Sequence, residues 1–334
     1  MPLTATLLAL STVTLWSFLA FFGARLSHLP PSLVVGIALC VAGLLGAVRL
    51  KDWRVPRLTF LVGIGGLFGY HFLYFTAYQF APPVEASLIN YLWPLLIVLL
   101  SPLILPGYRL QAHHLIGALA GLAGAALIAS GGRLKPDLTY LTGYLLMAGA
   151  ALTWAIYSLL TKRLPPFPTG AVGGFCFVSG LLSLAVLSIS ARHGEAGAIS
   201  LTAQDWLLLF LLGAGPMGAA FFTWDAALKR GDPRVIGSLA YLTPLTSTLI
   251  LVVLDGRSLT WVTALAMVLI VGGALIGSLD LLRAARQAMQ AQKFDVPSSS
   301  RNKQVIPSAA RDLDPAVAAL PDREEPEKSD NLGG

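Results

Sequence analysis

Charge is scarce in this sequence. Asp, Glu, Lys and Arg make up 12% of the 334 residues, against about 25% in water-soluble domains, and much of that charge falls after residue 280. The first 280 positions therefore cannot coat soluble domains with a hydrated surface, and water is not their main solvent. Cysteine is nearly absent too. Cys40 and Cys176 sit in separate apolar runs, which excludes a disulfide scaffold, a thiolate metal cluster and CxxC redox chemistry. No metal-ligand spacing, catalytic triad or phosphate loop is found, so no catalytic residue, metal or cofactor is expected. Gly213, Gly215 and Gly218 satisfy a GxGxxG spacing, but they lie in an apolar run that follows no strand, so they do not read as a nucleotide site. The net charge is +6, yet Lys and Arg stand singly at the ends of apolar runs. That pattern argues against nucleic acid as a partner and fits the orienting charges of a membrane protein.

What is abundant is apolar: 55% of the residues are hydrophobic and the mean hydropathy is +0.72. Runs of roughly 20 apolar residues, the length that crosses a bilayer, occur at 3–24, 32–50, 58–80, 84–104, 113–131, 138–160, 169–190, 205–228, 235–254 and 259–279. The first run lacks a basic segment ahead of it and is long enough to span, so it reads as a retained helix, not a signal peptide. Ten spans leave both termini on one side. Links on that side and the start of the tail hold thirteen Lys and Arg, from Arg49 to Lys293, and the opposite links hold five. The positive-inside rule therefore predicts that both termini are cytoplasmic. Residues 283–334 are polar and Pro-rich, and read as a disordered cytoplasmic tail.

The chain also repeats itself. A shift of 150 pairs Gly63 with Gly213, Phe72 with Phe222, Pro83 with Pro233, Tyr91 with Tyr241, Leu92 with Leu242 and Pro94 with Pro244. Thus YLWP and YLTP fall at the same point of two copies. A shift of 148 aligns GAALIAS with GGALIGS, and one near 138 aligns Trp16 with Trp154. Each copy holds five spans. Because five is odd, the second copy enters the bilayer from the opposite side, and such inverted repeats are the geometry of alternating access. The expected fold is an all-α polytopic membrane protein, ten transmembrane helices as a 5+5 inverted repeat around a central cavity. Residues 1–135 form the first repeat and 136–282 the inverted second.

Ten helices in this arrangement, Trp16 and Trp154 near the middle of helices 1 and 6, and Gly/Ala-rich helices 5 and 10 resemble the drug/metabolite transporter superfamily, EamA type. The resemblance covers residues 3–280 and is nearest to its branch of aromatic amino acid exporters, through the aromatic run of helices 3 and 4. It implies export of amino acids or other small metabolites across the bacterial inner membrane, with helices 1, 3, 4, 6, 8 and 9 lining the cavity.

The residues themselves suggest what that cavity is made of. Tyr70, His71, Tyr74 and Tyr78 fall within an arc of about 100° on one helix face. Hydroxyls and an imidazole near mid-membrane are poorly satisfied by lipid, so this face should look inward; an interfacial aromatic belt is the alternative and suits Tyr78 best. His71 is the histidine deepest in a span. It reads either as a substrate or proton ligand or as a neutral histidine bonded to a neighbouring helix. His113 and His114, beside Arg109, read as headgroup contacts. Asn90, Tyr91 and Trp93 precede Pro94, and Tyr241 precedes Pro244. Each proline frees the carbonyl four residues earlier and kinks its helix, so the two prolines are candidate hinges. Trp154, with Tyr157 one turn on, could stack a planar ligand and attract an ammonium. Glu85 sits in a first helical turn, and Asp225 precedes Lys229 by four; structural roles suffice for both.

The function expected is export of aromatic and bulky apolar amino acids by a monomer, through uniport or exchange. The substrate-binding candidates are Tyr70, His71, Tyr74, Tyr78, Asn90, Tyr91, Trp93, Trp154, Tyr157 and Tyr241. A broad-specificity exporter of other metabolites or drugs is the alternative. A membrane-embedded enzyme acting on lipid would need several convergent ionisable groups, and a channel or assembly subunit would have little use for inverted repeats.

Overall fold

The computed structural model describes residues 2–131, 137–193, 199–255 and 260–279, and all secondary structure there is helical. The expected tail, Arg133, Lys135 and Arg257 lie outside the described residues. Among the described residues, eight helical stretches are long and apolar enough to cross a membrane: Leu3–Arg25, Pro31–Trp53, Arg57–Phe80, Glu85–Ile104, Ala112–Ser130, Leu138–Arg163, Ala171–Arg192 and Ala203–Arg230. Trp261–Gly277 is apolar but shorter.

Several of these stretches are broken, and the breaks have local causes. Helices α1 (Leu3–Trp16) and α2 (Leu19–Arg25) part at Ser17, whose hydroxyl bonds back to the Val13 carbonyl at 2.6 Å and also touches Thr246. Back-bonding of this kind bends helices. The helix α3 (Pro31–Gly46) runs into a 3-10 segment, Ala47–Trp53, and α4 (Arg57–Phe80) follows unbroken until Pro82 and Pro83. The fourth stretch divides at Tyr91 into α5 (Pro83–Asn90) and α6 (Leu92–Ile104). After α7 (Ala112–Ser130), α8 (Leu141–Arg163) and α9 (Ala171–Arg192) comes α10 (Ala203–Ala214), joined through a π-helical turn at Gly215–Ala219 to α11 (Ala220–Arg230). Pro216 cannot donate to the Leu212 carbonyl, so the ladder widens there. The next stretch divides at Tyr241 into α12 (Pro233–Ala240) and α13 (Leu242–Asp255), and α14 (Trp261–Gly277) ends the described chain.

The helices pack as α3 on α9, α4 on α8, α7 on α14 and α1 on α11. Small residues make these approaches possible. A Cβ added to Gly117 would lie 2.5 Å from the Gly277 amide nitrogen, and one on Gly273 would lie 2.6 Å from the Gly117 carbonyl. The two GxxxG spacings therefore serve close helix packing. Gly213 and Gly218 of the false nucleotide fingerprint likewise meet the Ala38 carbonyl and the Gly213 carbonyl.

One end of the bundle is clasped by cations. Lys162 donates to the carbonyls of Leu228 and Gly231 at 2.8 and 2.7 Å, Arg163 to that of Ile104 at 3.0 Å, and Lys229 to that of Phe167 at 3.0 Å. Arg234 reaches the Arg109 carbonyl. Helix ends leave carbonyls without partners, and a cation satisfies both the bond and the dipole. Lys229 also pairs with buried Asp225 at 2.7 Å, at the spacing of four read from the sequence. The expected headgroup role does not fit His114: it is buried, and its Nδ1 accepts the Gln111 amide in a capping box at the start of α7.

Candidate functional site

A cavity of about 460 Å³ opens among α1, α2, α3, α4, α5, α6, α8, α10, α11, α12 and α13. Its walls lie in the half of the bundle away from the clasped end, reaching Gly23 on α2, Val34 on α3 and Ser87 on α5. Tyr70, His71, Tyr74, Asn90, Tyr91, Trp93, Pro94, Trp154 and Tyr241 all border it. Among the described residues that line it, none is Asp, Glu, Lys or Arg.

One wall is polar. Continuous α4 carries Tyr70, His71 and Tyr74 on the face read from their spacing. The Tyr70 hydroxyl lies 3.5 Å from Asn90 Oδ1 across the gap to α5. His71 Nδ1 is 2.6 Å from the Leu67 carbonyl, which can only accept, so Nδ1 carries the proton and Nε2 is left for the cavity. Its bond is to its own helix, not to a neighbouring one.

The floor is aromatic. Trp16 lies 5.8 Å from Trp154, 5.9 Å from Trp93 and 5.1 Å from Trp224, measured between ring centroids. Trp154 is 5.1 Å from Tyr70 and 5.5 Å from Phe221. Most of these pairs are edge-on or tilted, as ring quadrupoles favour. The Trp224 indole donates to Ser158 Oγ at 3.0 Å, so its polar end is satisfied although the residue is buried.

The two helix breaks are joined by one side chain. The Tyr241 hydroxyl donates to the Tyr91 carbonyl at 3.0 Å and accepts the Leu95 amide at 3.2 Å. In an uninterrupted helix that amide and that carbonyl would bond each other. The kink beside Pro94 is thus held open by an inserted hydroxyl. Tyr241 is fully buried, its ring packed over Gly121.

Three sequence candidates stand off the wall. Tyr78 lies behind it, its hydroxyl 2.9 Å from both Tyr74 Oη and Ser87 Oγ. Tyr157 is buried beneath Trp154 at 5.5 Å, where Gly66 leaves room for its ring. Pro244 does not border the cavity, whereas its neighbour Thr243 does. The sequence reading in turn missed Leu212, Pro216, Met217 and Phe221. Pro216 inside an apolar run was the available signal, because a proline there must open the helix and turn its neighbours.

Comparison with known proteins gives the class. The EamA-like transporter family model matches residues 3–130 and again residues 141–279. The chain belongs to the EamA-like transporter family, and is a multi-pass membrane protein. It is 41% identical over 286 residues to the aromatic amino acid exporter YddG of Ancylobacter novellus, covering 82% of this chain and 97% of that one. It is 25% identical over 280 residues to a probable amino-acid metabolite efflux pump of Salmonella typhimurium, covering 80% and 93%. A biotin transporter of Escherichia coli is 27% identical over 69% of this chain and 78% of its own. A solved crystal structure, 41% identical, covers 82% of this chain and 97% of its own with a TM-score of 0.75.

Proposed function

We propose that this protein exports amino acids, with aromatic and bulky apolar side chains preferred, from a bacterial cytoplasm by alternating access, and that both its termini are cytoplasmic. The observation that carries the reading is the cavity itself: about 460 Å³, walled by rings on one side and hydroxyls, an amide and an imidazole on the other, without a fixed charge. An unpaired ion there would be costly, whereas a zwitterion is neutral and brings two charges that polar groups can meet. Its ring or aliphatic chain would lie over Trp93 and Trp154. Its ammonium would meet ring faces, Asn90 Oδ1 and His71 Nε2, and its carboxylate the hydroxyls of Tyr70 and Tyr74. In this assignment Tyr78 and Tyr157 act from behind, positioning Tyr74 and Trp154.

The ten-helix 5+5 reading, with repeats at 1–135 and 136–282, has several supports. One family model matches both halves. Helix α3 packs on its counterpart α9, and α7 on its counterpart α14. Both YLxP motifs break their helices at the tyrosine, and the matched pair Trp16 and Trp154 meets at 5.8 Å. The clasped end is then the closed, cytoplasmic face, and the cavity opens outward.

In an inverted repeat, exchanging the conformations of the halves reverses the open side. Here Tyr241 wedges the break at Tyr91. In the exchanged state the Tyr91 hydroxyl, which has no hydrogen bond among the described residues, would wedge the break at Tyr241. Pro94 and Pro244 would be the hinges. Several relatives carry other cargoes in their names, so a wider range of metabolites is the second reading. Counterflow in proteoliposomes, with labelled tryptophan, phenylalanine, threonine and a sugar phosphate, separates them. Exchange of the amino acids alone is expected; exchange of the sugar phosphate alone defeats the proposal.

A further inference from the structure

The link between α3 and α4 holds Arg49, Lys51, Arg54 and Arg57, all exposed. They differ from the cations clasping the same end of the bundle. Lys162, Arg163, Lys229 and Arg230 each hold a backbone carbonyl, and Arg234 holds both a carbonyl and a carboxylate. The four in the link make no ion pair and no side-chain hydrogen bond among the described residues. The acid in their midst does not neutralise them. Asp52 turns to the start of α9, where its Oδ2 fills the space at Gly170 so closely that an added Cβ would lie 2.2 Å from it.

The same segment borders a groove of about 370 Å³ lined by Trp53, Val55, Arg57, Phe60 and Leu61. Four of its five walls are apolar, and the fifth is a guanidinium. Its apolar side continues into Val48, Leu50, Leu58 and Leu61, which are 59 to 90% exposed. A soluble surface would not carry such a strip, but the edge of a bilayer accepts it, with Trp53 at the depth where tryptophan prefers to sit.

We propose that this groove binds one anionic phospholipid, its phosphate held by Arg57 among the other three cations and an acyl chain lying along Phe60 and Leu61. Clusters of four or more cations beside a membrane helix attract anionic headgroups, each adding about a fivefold gain in affinity. The unpaired state of all four is what such a ligand would resolve. The apolar trough selects a lipid over a soluble anion, since free phosphate leaves Phe60 and Leu61 with nothing to cover.

The test is native mass spectrometry of the full chain in non-ionic detergent, titrated with phosphatidylglycerol or with phosphatidylcholine of the same chains. One phosphatidylglycerol should be retained at concentrations at least tenfold below those needed for phosphatidylcholine. The variant carrying Arg49→Gln, Lys51→Gln, Arg54→Gln and Arg57→Gln should lose that preference, while Arg109→Gln, at the same end but outside the groove, should keep it. If the fourfold variant does not fold, raising salt on the unaltered protein replaces it, and the preference should then collapse. Equal retention of both lipids, a preference that survives the fourfold change or high salt, or displacement of the lipid by an equal concentration of glycerol phosphate each overturns the proposal.

Discussion

The hydroxyl of Tyr241 bonds the carbonyl of Tyr91 at 3.0 Å, across the interface between two helices broken at equivalent points. Because the same hydroxyl accepts the Leu95 amide at 3.2 Å, it supplies both bonds that the kinked helix has lost. Tyr241→Phe keeps the ring and strands the two backbone groups in the interior. The cost should be about 1–3 kcal/mol, read as a lowered melting temperature in detergent. Tyr91→Phe removes a hydroxyl with no partner in this state and should leave melting unchanged while slowing counterflow. Equal melting losses in the two variants would dismiss the asymmetry.

His71 and Trp154 border the same cavity but differ in what surrounds them. His71→Ala removes a ring whose polar bond is to its own helix, so counterflow should fall at least tenfold with little change in melting. Trp154→Ala would open a hole among five other rings and cost about 3–5 kcal/mol, confusing folding with function. Trp154→Phe is the better probe, keeping much of the volume and cutting transport of tryptophan more than that of threonine. Unchanged rates in both variants would remove these residues from the binding site.

Asp232 gives a dependence on acidity. Burial pushes its carboxyl up, but the Arg234 guanidinium at 2.5 Å overcomes this and holds it below its ordinary value. A depressed carboxyl contributes stability above its unfolded value, near 4, and loses it as pH falls through the lower folded value. Melting should therefore drop as pH falls below about 4, and Asp232→Asn should flatten that part of the profile. A variant whose profile overlays that of the unaltered protein would show that the pair contributes nothing to the native state.

At the contact of α7 with α14, Gly117→Ala should be worse than its size suggests. The new methyl would meet the Gly277 backbone nitrogen at 2.5 Å, and backbone, unlike a side-chain tip, cannot turn aside. A loss of about 1–3 kcal/mol is expected, whereas Gly65→Ala, with nothing within 4 Å of the added carbon, should be neutral. Similar melting of the two would show that this contact yields.

Much of this was legible in the residues. Apolar run length pointed to ten spans, of which eight are helical stretches long and apolar enough to cross a membrane among the described residues, and a rotation of 100° per residue placed Tyr70, His71 and Tyr74 on one wall. The proline after each repeated tyrosine marked where two helices break. What stayed hidden depends on neighbours distant in the chain. Tyr78 and Tyr157 share the right faces of α4 and α8, but a hydrogen bond to Ser87 and the space left by Gly66 draw them behind the wall. Met217 lies in the π turn and Phe221 just beyond it, so a regular rotation of 100° per residue does not place them. Nor does the periodicity of a single helix say that Tyr241 enters the backbone break between α5 and α6.

A cavity lined without carboxylate, ammonium or guanidinium among its described residues also bears on energetics. Moving one elementary charge through 100 mV is worth about 2.3 kcal/mol, so under the proposed alternating access a vestibule whose lining holds none of these groups would move none of them across the field. The voltage of the cell would then neither speed nor hinder the return stroke of the proposed cycle. On the proposed export reading, outflow would be driven by whatever solute has accumulated inside, like an overflow valve.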